Sequence, residues 1–194
     1  MSARDEILAR LSSQRLEAVA LPELEGDWIR YADPRERFRI AVGEAAGSVV
    51  SVGAGGSLPE VVAGLEVVRS ARSCCSFSPI VAGNRDLPSE PHGFRDVDLV
   101  IAPAQFGVAE NGAVWIDEAA VPIRAALWLA QHLLVLLPLG EIVDNLHQAY
   151  ERLEPGLGAG GFGCFIAGPS KTADIEQHLV IGAHGPRSLT IVEY

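Results

Sequence analysis

Short β-branched runs alternate along this chain with segments whose apolar residues recur every three or four positions. In residues 2–19, Ile7, Leu8, Leu11 and Leu16 fall roughly on one face and Ser2 with Asp5 stands at capping-box spacing. That pattern predicts an amphipathic helix packed on the domain or on a partner. Residues 20–35 read as a linking segment in which Trp28 covers apolar surface, and residues 36–46 (Phe38, Ile40, Val42, Ala45) resemble another helix. Val49–Val52 reads as a buried strand. It runs into Gly53-Ala54-Gly55-Gly56-Ser57 and a helix start at Leu58-Pro59, with Ser57 or Leu58 as the cap. Residues 70–95 are irregular and read as a surface loop or lid, with His92 solvated.

Val97–Ala102 is the next buried strand, and Asn111-Gly112 is the strongest short-range signal for a hairpin. Residues 122–131 have helical composition. His132–Leu137 reads as a fully buried strand, with His132 a satisfied histidine at the edge of the core. Glu141–Leu153 follows helical spacing, with His147 projecting to solvent. Phe162–Ala167, Leu179–Ile181 and Leu189–Val192 complete the strands. The alternation predicts a three-layer α/β/α domain with a mostly parallel sheet, one domain over residues 1–194 with residues 1–20 peripheral.

Composition narrows the function classes. The chain has 194 residues, 48% apolar and 21% charged, which suits a globular domain with a real core. Its net charge of −10 argues against a non-specific nucleic-acid binder and against docking on anionic lipid, while leaving room for a locally basic pocket. The N-terminus lacks the apolar core of a signal peptide, and the longest apolar run, Leu133–Leu137, is too short to span a bilayer. A cytoplasmic chain without membrane insertion is expected. Three cysteines, two of them adjacent (Cys74, Cys75) and one alone (Cys164), give neither a disulfide framework nor a metal spacing.

Candidate chemistry gathers at glycine-bounded turns. After Gly168-Pro169, the residues Ser170, Lys171 and Thr172 could hold an anion at a helix start. Asp174 and Glu176 are two apart, so on a helix they diverge by about 200°, whereas on an extended segment they share a face. His184, between Gly182 and Gly185-Pro186, is accessible, and an imidazole suits proton transfer near neutral pH. Gly53, Gly55, Gly56 and Ser57 form either an anion-binding strand–turn–helix or simply a tight turn. Glu110 and Asn111 follow a strand's end, where open parallel sheets hold ligands, although the hairpin alone accounts for Asn111-Gly112. The expectation is a small anionic ligand held at Gly53, Gly55, Gly56, Ser57, Asn111, Gly168, Ser170, Lys171, Thr172, Asp174 and Glu176, with Glu110 and His184 as catalytic groups in one cavity. A metal on Asp174, Glu176 and His184 lacks a recognised spacing, so neither metal nor cofactor is expected.

The stretch from Gly168 to Glu176, followed by Gly182-Ala183-His184-Gly185-Pro186, closely resembles the LutC/YkgG family, lactate utilisation protein C, whose domain is called LUD. Phe106–Gly112 resembles that family's Gly-Ile-Ala-Glu-Thr-Gly element, with Val108 for Ile and Asn111 for Thr. The resemblance implies a fold like that of the NagB/RpiA/CoA-transferase superfamily. It also implies a part in oxidising L-lactate to pyruvate beside iron–sulfur partner proteins. Two other classes stay open: a free-standing isomerase or acyl/CoA transferase using Glu110, and a non-catalytic assembly module presenting Trp28 and the first helix.

Overall fold

The computed structural model describes residues 2–13, 19–20, 26–153, 161–173 and 179–194. Helix α1 (Ala3–Ser13) buries none of its residues; Ile7 and Leu11 are about 60% exposed. Helix α2 (Pro34–Glu44) starts two residues earlier than its apolar pattern suggests. The Asp33 carboxylate accepts from the Glu36 N–H, and Pro34 supplies a preset φ in the first turn. Strand β1 (Ser48–Ser51), α3 (Leu58–Gly64) and α4 (Glu66–Ser70) follow, with Ser57 in the cap position of α3 as expected. The region read as irregular contains strand β2 (Cys74–Ser76) and a 3-10 turn (Pro91–Phe94).

Strand β3 (Leu99–Pro103) leads into the hairpin of β4 (Phe106–Val108) and β5 (Ala113–Asp117). Only Ala126–Leu129 of the 122–131 segment is helical, as α5. Strand β6 (His132–Leu137) stands as expected. The helix expected from Glu141 begins at Leu146, as α6 (Leu146–Leu153). Ile142–Val143 instead forms β7, parallel to Gly107 and Val108. Strands β8 (Gly163–Ile166), β9 (Lys171–Thr172), β10 (Val180–Ile181) and β11 (Ser188–Glu193) complete the chain.

The central sheet has the order β1-β11-β6-β3-β2 and all its pairs are parallel. Parallel strands covered on both faces read as continuous apolar runs, which is why His132–Leu137 was legible. On one face, Leu99, Ile101, Leu134 and Leu136 pack with Leu58 and Val62 of α3. On the other, Val100, Leu133, Val135 and Ile191 pack with Phe38 and Val42 of α2, Leu127 of α5, and Val114, Ile116 and Ile166 of a second sheet. That second sheet, β7-β4-β5-β8, carries α6 on its outer side through Phe106, Trp115, Ala149 and Leu153. The layers are therefore helix, parallel sheet, and a third layer in which helices share the surface with a small mixed sheet.

The thiols belong to this core. Cys75 is fully buried, and Cys74, 5% exposed, has its thiol pushed up to about 11 by burial and by the neighbouring Cys75. Burial also raises Cys164. A thiolate is the reactive form, so native protein at pH 8 is expected to react slowly with a disulfide reagent. Unfolding in guanidinium should release all three equivalents at once. Fast reaction of any one of them in the native state would contradict this packing.

Candidate functional site

The segment after β8 and the turn before β11 are laced together. The Ser170 N–H donates to the Pro186 carbonyl (2.9 Å) and the Gly182 N–H donates to the Ser170 carbonyl (2.8 Å). Lys171–Thr172 pairs antiparallel with Val180–Ile181, so these two residues are extended and not the first turn of a helix. The reason is that extended residues on both sides find each other as backbone partners. Asp174 and Glu176 lie outside the described residues.

The laced segments wall a cleft of about 290 Å³ whose bottom is apolar (Leu127, Leu133, Leu189) and whose rim carries Ser170, Lys171 and His184. Gly168 and Pro169 are buried in its wall, Ser170 is half-buried, and Lys171 and His184 are exposed. Lys171 is the only lysine of the chain. Among the described residues, the Ser170 hydroxyl, the Lys171 ammonium and the His184 imidazole have no hydrogen-bond or ion-pair partner of their own. A hydroxyl donor, a cation and an imidazole above an apolar floor suit a small carboxylate with a short carbon chain. Two glycines fix the geometry. Gly168 has φ +72° and lies against the Ala45 carbonyl, while a Cβ on Gly185 would stand 3.0 Å from Ser170 Cβ.

The remaining candidates lie elsewhere. Glu110 is exposed at the tip of the β4–β5 hairpin, and its Oε2 accepts from the Leu146 N–H (3.0 Å) at the start of α6. Its backbone N–H donates to the Asp144 carbonyl, and its carbonyl accepts from Arg37. Glu110 is not among the residues lining the Ser170–His184 cleft, so the structure does not bring Glu110 and His184 to one cavity. The physical reason is that a carboxylate beside the first free N–H of a helix is drawn to that N–H. Asn111 is used by its own turn, its Oδ1 accepting from the Ala113 N–H (3.0 Å).

Gly53, Gly55, Gly56 and Ser57 follow the carboxyl end of β1, whereas the cleft lies beside Leu133 and Leu189, at the amino ends of β6 and β11. The two glycine-rich turns thus occupy opposite edges of one parallel sheet and share no cavity. The Gly56 N–H closes the first turn by donating to the Gly53 carbonyl.

Several polar features escaped the sequence reading. Asn145 is 2% exposed and ties the chain at Ile29 to α6, donating to the Ile29 carbonyl while accepting from the Gln148 N–H. Trp28 stacks on His147 with centroids 3.5 Å apart, so His147 is half-buried and not projecting freely. Among the described residues, no group of three or more His, Cys, Asp or Glu is placed to hold a metal ion, and no helix is long and apolar enough to cross a membrane.

The LUD domain family matches residues 92–192, just over half of the chain and the whole of the cleft's Gly168–Pro186 wall. The chain belongs to the LUD domain family. An uncharacterized protein of Neisseria meningitidis serogroup B is 30% identical over 131 residues, which cover 66% of this chain and 55% of that protein. Lactate utilization protein C of Shouchella clausii is 31% identical over 106 residues, 53% of this chain and 46% of that one. The protein of that name in Geobacillus kaustophilus is 34% identical over 96 residues, 47% and 40% respectively. This LUD-domain chain therefore spans about half the length of the curated relatives it matches. The crystal structure of a DUF162 family protein from Deinococcus radiodurans is similar in fold, with a TM-score of 0.64 at 16% identity over 82% of this chain and 95% of that one.

Proposed function

We propose that this LUD domain serves in lactate utilisation, holding a small 2-hydroxy or 2-keto carboxylate in the Ser170–Lys171–His184 cleft. The observation that carries the reading is the cleft itself: three uncommitted polar groups of matching chemistry stand over an apolar floor inside the family-matched region. The similarity to relatives named lactate utilization protein C supports the pathway. In this reading Lys171 and Ser170 receive the carboxylate, and the His184 imidazole takes up or returns the hydroxyl proton. Lactate and pyruvate differ by two electrons and two protons: in this reading the hydroxyl proton goes to His184, the C2 hydrogen leaves as a second proton, and the two electrons pass to iron–sulfur partner proteins in the cytoplasm. Glu110 holds the start of α6 in place.

Calorimetric titration of pyruvate and L-lactate tests the reading. Wild type is expected to bind at least one of them, and Lys171→Ala or Ser170→Ala to weaken it about tenfold, the worth of one hydrogen bond to a charged group. Glu110→Gln is expected to leave the affinity unchanged while lowering stability by about 1 kcal/mol through a weakened helix cap. Absence of binding to either acid by wild type would remove the carboxylate site. A Glu110→Gln loss equal to that of Lys171→Ala would restore Glu110 to the ligand.

A further inference from the structure

The amino edge of the parallel sheet carries a second row of polar groups that the carboxylate cleft does not use. Arg187, Gln131, Asp98 and Ser73 stand one position before the first paired residues of β11, β6, β3 and β2, and Arg72 stands two before that of β2. Backbone hydrogen bonds run along the row. The Arg187 N–H donates to the Gln131 carbonyl (2.7 Å), the His132 N–H to the Asp98 carbonyl (2.8 Å), and the Asp98 N–H to the Ser73 carbonyl (3.0 Å). Three strand spacings separate β11 from β2, roughly 14 Å. Beside this row lies a cavity of about 480 Å³, lined by Ser70, Arg72, Asp98, Gln131, His132 and Arg187. A further cavity, about 270 Å³, shares Gln131 and Arg187 with it and shares His184 and Gly185 with the carboxylate cleft. The three hollows thus lie in series along this groove, each sharing wall residues with the next.

The charges in this groove are uneven. Among the described residues, Arg72 and Arg187 have no ion-pair partner, as is also true of Arg4, Arg30, Arg95 and Arg124, while the other described arginines are each paired with a carboxylate. What sets Arg72 and Arg187 apart is that both unpaired guanidinium groups line the same hollow. The one carboxylate present, Asp98, is occupied: its Oδ2 accepts from the Arg72 and Ser73 N–H groups at 2.9 and 3.1 Å. His132 is held by the Ser188 hydroxyl at 2.8 Å. A separate observation ties Arg187 to the family turn. Gly182 has φ +75°, and a Cβ there would meet Arg187 Cγ at 2.5 Å, so the glycine leaves room for the arginine's stem.

We propose that Arg72 and Arg187 form a binding site for the phosphoryl head of an elongated phosphorylated ligand, a phosphate ester or diphosphate, whose other end reaches along the groove toward His184. A guanidinium offers a planar fork that matches phosphate oxygens in pairs. The hollow is the size of a small-molecule site, and two arginines in an acidic chain are too few for a nucleic-acid track. The site stands independently of the lactate reading.

Inorganic pyrophosphate is the probe, titrated calorimetrically into the full chain at low and at moderate ionic strength. Wild type is expected to bind it, more weakly as salt rises. Arg187→Gln and Arg72→Gln should each weaken binding at least tenfold, and Gly182→Ala should weaken it by displacing the Arg187 stem. Arg10→Gln, on the exposed α1, should leave it unchanged. No binding by wild type, or binding that both arginine variants leave intact, would overturn the proposal. Loss of pyrophosphate binding in variants that still bind pyruvate or lactate would separate the two sites, and carboxylate failure with pyrophosphate binding retained would sink only the lactate reading.

Discussion

Gly168→Ala is expected to lower the unfolding free energy by about 3–5 kcal/mol, among the largest effects of any single methyl group in this chain. Two costs add. A residue with a Cβ at φ +72° sits in the left-handed region at roughly 1–2 kcal/mol. The new methyl would also fall onto the Ala45 carbonyl oxygen, with the carbonyl carbon at 3.0 Å, and neither is the tip of a flexible side chain that could swing away. Ala45 closes the C-terminal end of α2, whose Phe38 and Val42 are fully buried in the main core, so relief at Ala45 would disturb that packing. Two other glycines separate the terms. Gly140 has φ +84° with nothing within 4 Å of its added Cβ, so Gly140→Ala should show the conformational cost alone, about 1–2 kcal/mol. Gly53 has neither a positive φ nor a neighbour within 4 Å, and Gly53→Ala should be within about 0.5 kcal/mol of wild type. Urea unfolding of the three variants gives the order directly. Equal losses for Gly168→Ala and Gly140→Ala would mean that the contact with Ala45 does not fix the wall of the cleft.

The strands of the parallel sheet were legible because burial on both faces leaves an unbroken apolar run, as in His132–Leu137 and Leu189–Val192. The short elements were not. Ile142 and Val143 fit a helical period with Leu146 and Ala149, and only their pairing with Gly107 and Val108 makes them a strand. Cys74–Ser76 carries too little pattern to stand out, and it becomes β2 by lying beside Leu99–Ile101. At the site, the joining of Ser170 to the His184 turn was legible, since both are polar residues between glycines that a strand must bring near the sheet. The pairing of Glu110 with His184 was not sound, because a carboxylate in a turn is equally a helix cap. Its helix begins 36 residues further on, beyond any local signal. Arg72 and Arg187 carry no motif of their own. They become neighbours of one hollow only through the strand order β11-β6-β3-β2.

At the opposite edge of the sheet, Glu193 is expected to govern acid stability. It is 1% exposed, and its carboxylate accepts from Arg35 Nη2 (3.1 Å), Arg39 Nη2 (2.8 Å) and Ser51 Oγ (2.9 Å). These bonds fasten α2 and the edge strand β1 to the end of β11. Breaking a buried ion pair costs roughly 3–5 kcal/mol. Here Arg35 and Arg39 are 41% and 35% exposed, so once released they reach water, and Glu193→Gln should cost less, about 2–3 kcal/mol at pH 7. Burial by itself would raise the carboxyl pKa, but the hydrogen bonds from Arg35, Arg39 and Ser51 outweigh it and hold the group below the ordinary 4.5. A depressed folded-state pKa means stabilisation that is complete above the unfolded value, near 4.5, and is lost as the pH falls through the lower folded value. Urea midpoints measured from pH 7 down to pH 3 should therefore fall steeply for wild type below about pH 4.5. The Glu193→Gln variant should start lower and fall less, so that the two curves converge in acid. Parallel curves would assign the acid limb to other carboxylates and reduce Glu193 to a packing residue.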